Sequence, residues 1–207
     1  MKIIALILLL LPILTRIATA EPSEALAIFQ QYETLEAQGR YAEAEPFARK
    51  VLAVGKEAFG PDSETYASLL DNLARLHDKQ GRYAKAVPLY KRAVSILRKA
   101  IGPDHPDIIK PLVHLAELTF RLGHYDESAS LNERILAIRG KSHGPDNPKT
   151  AQSLNNLASV YKAQGLYAKA ELLHKRALAI REKALPPDAS HIAQSLNNLA
   201  QIYRLQN

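Results

Sequence analysis

Between residues 148 and 164 the apolar side chains Leu154, Leu157, Ala158 and Tyr161 fall at i, i+3, i+4 and i+7, one face of an α-helix. Gly165 follows, and glycine stops a helix cheaply because it enters the left-handed conformation without a Cβ clash. A second stretch, from about Tyr167 to Lys183, is apolar on one face through Ala170, Leu173, Ala177 and Ile180. Asp146 or Asn147 ahead of Pro148 suits a helix cap with proline in the first turn. The pattern predicts two helices, a tight turn between them and a Gly-Pro-Asp break.

That pattern returns with a period of 42 residues. Gly39-Arg40-Tyr41, Gly81-Arg82-Tyr83, Gly123-His124-Tyr125 and Gly165-Leu166-Tyr167 mark the turns. Gly60-Pro61-Asp62, Gly102-Pro103-Asp104 and Gly144-Pro145-Asp146 mark the breaks, with Pro186-Pro187-Asp188 in the next register. The octapeptide AQSLNNLA occurs twice, at 151–158 and at 193–200. Pro46 and Pro88 fall early in second helices, where a mild kink is expected and not a break. One helix pair cannot bury its apolar stripe alone. Stacked pairs can, and Ala74, Ala116, Ala158 and Ala200 are small enough to let helices approach closely.

The expected organisation is a signal peptide at 1–20, a divergent N-terminal capping repeat at 21–60, repeats at 61–102, 103–144 and 145–186, and a terminal half-repeat helix at 187–207. The divergent repeat has Tyr32 where later units carry alanine. The first twenty residues have Lys2, an apolar run from Ile3 to Leu14 and Ala18-Thr19-Ala20, the layout of a secretory signal. Cleavage after Ala20 would place the protein in the periplasm or outside the cell; an uncleaved N-terminal anchor is the alternative.

Leu-x-x-Leu-Ala-x-x-Tyr, then Gly-x-Tyr, then alanine, resembles the tetratricopeptide repeat. The 42-residue spacing with NNLA, QGxYAxAE, RALAIREK and GPDHP or GPDNP is similar to the repeats of kinesin light chains and their bacterial relatives. The resemblance covers about residues 23–207. It implies an all-α, right-handed α-solenoid of stacked antiparallel helix pairs. It also implies a scaffold that binds a protein or peptide partner on the concave surface lined by first helices.

On a helical wheel Gln152, Asn155, Ser159 and Lys162 project opposite the core face, with Asn156 at the edge of that group. An amide both donates and accepts, so it can pair with the backbone of an extended peptide. In the family resembled, the asparagine before Leu-Ala does this, which implies Asn72, Asn156 and Asn198, with His114 in its place in one unit. The candidate peptide-binding set is Asn72, His114, Asn155, Asn156, Lys162, Asn197, Asn198 and Arg204. The other reading is that the asparagines satisfy backbone or inter-repeat hydrogen bonds. Arg75, Lys79, Lys110, Arg121, Lys162 and Arg204 outnumber Asp71, Asp78 and Glu117 on the same side. They either favour an acidic partner or are solvated surface charges.

Composition narrows the classes. Hydrophobic residues are 47% and charged residues 23%, enough for a core, and there is no cysteine, which excludes disulfides and thiolate chemistry. The net charge of +6 would fall to +4 on loss of Lys2 and Arg16. That is too mild and too scattered for nucleic-acid binding. No HExxH, GxSxG or Gly-rich phosphate loop occurs, so no enzyme, metal or cofactor is expected. His105 is expected to cap or pack a turn, and His77 and His174 to lie on helix surfaces or between helices.

Two alternatives to groove binding are an assembly subunit working through its C-terminal end or convex face, and an accessory subunit of an envelope enzyme. Asn207 stands in the register of Gly165, so Leu199, Ile202 and Tyr203 are expected to keep apolar surface that could dock a second copy or a partner's helix. If the helix packs down on the preceding pair, only scattered exposure would remain.

Overall fold

The computed structural model describes residues 22–184, 186 and 190–206. The expected signal segment at 1–20, Pro187-Asp188 and Asn207 lie outside the described residues. Among those described there are nine α-helices, one 3-10 turn and no strand. The chain divides into two compact units between Pro103 and Asp104.

The first unit holds α1 (Pro22–Ala37), α2 (Tyr41–Phe59), α3 (Glu64–Lys79) and α4 (Tyr83–Ala100). Neighbours in sequence pack together, and the short loops make them antiparallel. Tyr32, Leu35, Ala44, Ala48, Leu73 and Leu76 form the buried centre, with Phe29, Phe47 and Leu89 packed around it. Pro46 and Pro88 sit inside uninterrupted helices, as expected. Ser63 caps α3 by accepting a hydrogen bond from the Tyr66 N–H at 3.1 Å. Gly55 on α2 is buried, and a Cβ there would collide with Leu69 Cδ1.

The second unit begins with a 3-10 turn at Pro106–Ile108, followed by α5 (Ile109–Arg121), α6 (Tyr125–His143), α7 (Pro148–Ala163), α8 (Tyr167–Ala184) and α9 (Ser190–Gln206). His105 caps the 3-10 turn, its Nδ1 accepting from the Asp107 N–H. Asn147, not Asp146, caps α7 by accepting from the Lys149 N–H at 2.9 Å. Ala151 and Leu154 of α7 pack on Ala177 and Ile180 of α8. Ala158 of α7, Ala170 of α8 and Ile202 of α9 form a second contact cluster. Each fully buried leucine or isoleucine here contributes about 1.5–3 kcal/mol from apolar surface removed from water.

The turns inside the helix pairs follow one geometry. Gly39, Gly81, Gly123 and Gly165 all have φ between 71° and 78°, a region open to glycine and strained for other residues. The residue after each glycine donates back to the helix before it, as in Arg82 N–H to His77 C=O at 2.8 Å and Leu166 N–H to Tyr161 C=O at 2.9 Å. This is the hydrogen-bond pattern of a glycine helix stop.

The last helix takes the second of the two courses its register left open, packing down on the preceding pair. Leu199 and Ile202 are buried, because α9 packs down on α8 and the end of α7. Tyr203 does keep exposure, at 43%. Ala200 is exposed, unlike the buried Ala74, Ala116 and Ala158, so it seats no helix among the described residues.

Candidate functional site

The polar side of α7 is tied to its neighbours by side-chain amides. Arg181 of α8 donates to Gln152 Oε1 at 3.0 Å, and Gln152 Nε2 donates to Asn156 Oδ1 at 2.8 Å. Asn198 of α9 donates to Asn155 Oδ1 at 2.8 Å, and Lys162 Nζ donates to Gln201 Oε1 at 2.9 Å. Asn155 is therefore buried between helices and does not project outward as its place on the wheel suggested. Asn156 stays half-buried. With its Oδ1 held by Gln152, its amide offers a ligand chiefly N–H donors.

Asn72, His114, Asn156 and Asn198 occupy one register of the repeat, and all four are half-buried. Asn197 and Arg204 are exposed. In the second unit, Asn156 borders a pocket of about 310 Å³ between α5, α6 and α7. Its apolar lining is Val113, Ala116, Phe120 and Val160; Glu117, Arg121, Ser128, Asn132 and Ser159 supply polarity. His114 is not among the lining residues. Ser128 donates to the Ala116 C=O at 2.9 Å, and Asn132 donates to the Ser128 C=O at 2.9 Å, which holds the polar part of the pocket wall rigid.

Sequence reasoning missed Ser128, Asn132 and Phe120. The signal available was Ser128 in a register otherwise filled by Ala44, Ala86 and Ala170.

In the first unit the corresponding surface carries Asn72 and a shallow depression lined by Glu33, Glu36, Ala37, Tyr41 and Arg75. Arg75 is ion-paired with Glu36, so its charge is already matched. Burial, and secondarily Glu36, raises the Glu33 carboxyl above its ordinary value. The excess of cations counted on the sequence is thus partly consumed by contacts within the unit.

Two arginines missed by the sequence reading repeat one clamp. Arg139 of α6 reaches the Lys149 C=O at 3.2 Å and Ser153 Oγ at 3.0 Å. Arg181 of α8 reaches the His191 C=O and Ser195 Oγ, both at 2.8 Å. Arg181 is 1% exposed, and burial lowers its pKa. Hydrogen bonds to these neutral acceptors compensate its desolvation.

His77 and His174 are both buried. Burial, with Lys162 and Arg181 nearby, pulls His174 down to about 4, so it is neutral at ordinary pH. For His77 burial also lowers the pKa, against an opposing pull from Glu45. Neither is placed for proton transfer to a ligand. Among the described residues no three His, Asp or Glu side chains could hold a metal ion. No described helix is long and apolar enough to cross a membrane.

A family model, the tetratricopeptide repeat, matches residues 24–99, 79–141 and 107–183. The chain belongs to the tetratricopeptide repeat family. Solved structures agree on the fold. One is a Podosopora anserina protein with nearly identical kinesin-light-chain TPR-like repeats. It is 24% identical with a TM-score of 0.78, and 91% of this chain matches 89% of that one. BtubC (BKLC) of P. vanneervenii is 23% identical with a TM-score of 0.75, over 93% of this chain and 78% of that one. The apo form of RapI is 17% identical with a TM-score of 0.73, over 88% of this chain but only 64% of its own length. No curated protein sequence matches. Tetratricopeptide repeats mediate protein–protein interaction through the surfaces their stacked helices present.

Proposed function

We propose that this tetratricopeptide protein is a non-catalytic scaffold of the cell envelope that holds an extended peptide or a partner's helix on the face lined by its first helices. The observation that carries this reading is the pocket of about 310 Å³ beside Asn156. Apolar Val113, Phe120 and Val160 offer a seat for one partner side chain. Asn156 also lines it, with N–H donors for a backbone carbonyl, and Glu117 and Arg121 place one charge of each sign beside it. Wall hydrogen bonds hold this arrangement, so binding needs little rearrangement. The envelope location rests on the signal-like residues 1–20, and N-terminal sequencing of native protein beginning at Glu21 would support it.

The binding test is selection from a random peptide display library. Selected peptides should share an apolar anchor residue and should lose at least about tenfold in affinity with Asn156→Ala. That substitution removes the acceptor of Gln152 Nε2, which half-buried Gln152 can give to water instead, so it should cost no more than about 1 kcal/mol of stability. No selection, or binding indifferent to Asn156, overturns the reading. A second reading, an assembly subunit working through its last helix, is favoured by the exposure of Leu196 at 51% and Leu205 at 48%.

A further inference from the structure

The second helix of each repeat exposes one face, and on α4 the only charges of that face are positive. Lys85, Lys91, Arg92, Arg98 and Lys99 are exposed, and at about 100° per residue they fall within one arc of about 140°. Exposed Ala84, Pro88 and Ser95 complete the arc, and α4 contains no Asp or Glu. From Lys85 to Lys99 the strip runs about 21 Å along the helix. The same register is mixed in the other second helices. α2 has exposed Glu43 and Glu57 there, α6 has Asp126 and Glu133, and α8 has Glu182.

Helix stability does not account for the whole strip. Lys85 lies in the first turn, where the partial positive charge of a helix start disfavours a cation. α2 and α6 place Glu43 and Asp126 in that turn, and α4 has no acid there. Among the described residues no carboxylate is ion-paired with Lys85, Arg92, Arg98 or Lys99. Arg92 lies over the Tyr66 ring, 5.4 Å from its centre, which positions the guanidinium without neutralising it.

From this we infer that the outward face of α4 docks on an anionic lipid surface, with the helix lying along the plane of the headgroups. The uncharged residues of the arc point to that partner. Specific protein interfaces centre on a buried aromatic or large apolar anchor, and Ala84, Pro88 and Ser95 supply none. The face therefore binds by charge alone. A lipid surface suits it, because anionic headgroups are laterally mobile and each Lys or Arg near them adds a similar small increment of affinity. Nucleic acid also binds by charge, but a net charge of +6 over 207 residues is low for that role. No described helix is long and apolar enough to cross a membrane, and a peripheral contact needs none. The contact stands apart from the Asn156 pocket, which belongs to the second unit.

The test is sedimentation of the full chain with vesicles of phosphatidylcholine, alone or mixed with phosphatidylglycerol. Residues 1–20 are common to every variant, so the reading is the change between variants. Binding to the anionic vesicles should exceed binding to the neutral ones and should fall with added salt. Lys85→Gln and Lys99→Gln should each weaken it about fivefold. Lys169→Gln, the same loss of charge on α8, should leave it unchanged. All three sites are exposed, so the melting curve should not move. Equal binding to both kinds of vesicle overturns the inference. So does indifference to the two α4 substitutions, or an equal loss with Lys169→Gln. Capture of duplex DNA or polyglutamate through Lys85 and Lys99, without binding to anionic vesicles, overturns it in favour of nucleic acid or an acidic protein.

Discussion

One octapeptide, written twice, meets two environments. In the copy at 151–158, Ala151, Leu154, Asn155 and Ala158 are buried; in the copy at 193–200 the matching Ala193, Leu196, Asn197 and Ala200 are exposed. Ser153 and Ser195 are buried in both, each held by an arginine from the preceding helix, and Leu157 and Leu199 are buried in both. One face of the motif therefore meets the helix before it, wherever the motif occurs. The other face is covered by α8 in the first copy and exposed in the second, so identical letters need not carry identical energies.

The largest expected effect breaks the pair at its leucines. Leu154→Ala removes a fully buried side chain and should cost about 2–5 kcal/mol in urea unfolding. Leu196→Ala in dilute protein should cost less than about 1 kcal/mol. Equal losses would mean that α9 is covered as α7 is.

The next effect concerns α8, the helix packed between the two copies. Its His174 has a folded-state pKa depressed to about 4, by burial first, and the unfolded chain takes up a proton near the ordinary histidine value of 6.5. The unfolded state is thus the one that gains protons on acidification. Stability is intact above about pH 6.5, declines as pH falls towards 4 and levels off below it, a loss of up to about 3 kcal/mol. His174→Gln should flatten that part of the stability–pH profile. A wild-type profile already flat between pH 6.5 and 4 would show that His174 charges freely in the fold.

The smallest effect compares the asparagines. Asn155→Ala breaks the bond to Asn198 and should cost about 1 kcal/mol, whereas Asn197→Ala should cost almost nothing in dilute protein. Urea midpoints of the two single variants decide it; a larger loss at Asn197 would reverse the comparison.

These pairs also show what could be read before folding. The helices, their glycine stops and the tetratricopeptide architecture were legible because period, turn glycines and apolar faces agree at every level. Asn156 was singled out because its register recurs, and it lines the pocket between α5, α6 and α7. Asn155 was misplaced because a helical wheel assumes one covered face, while α7 is packed by α6, α8 and α9-borne Asn198 together. For Leu199 and Ile202 the register left two outcomes open, bare or packed down, and the choice was set by how closely small Ala158 and Ala170 admit Ile202. The pocket wall at Ser128 and Asn132 depends on side chains from separate helices, which no single-helix pattern encodes.

The arginine clamps carry a consequence for recombination. Arg139 with Ser153, and Arg181 with Ser195, are each fourteen residues apart, and each pair spans a break between helix pairs. At the same register in the first unit stands Gly55 against Leu69, a glycine under a bulky aliphatic chain. A cassette cut from one Gly-Pro-Asp break to the next separates each residue from its mate. Moved into the first unit, such a cassette would force a guanidinium onto Leu69, or leave a serine facing bare glycine. The segment that can be transplanted intact runs from the start of one second helix to the end of the first helix that follows, so the exchangeable module is offset by half a period from the visible repeat.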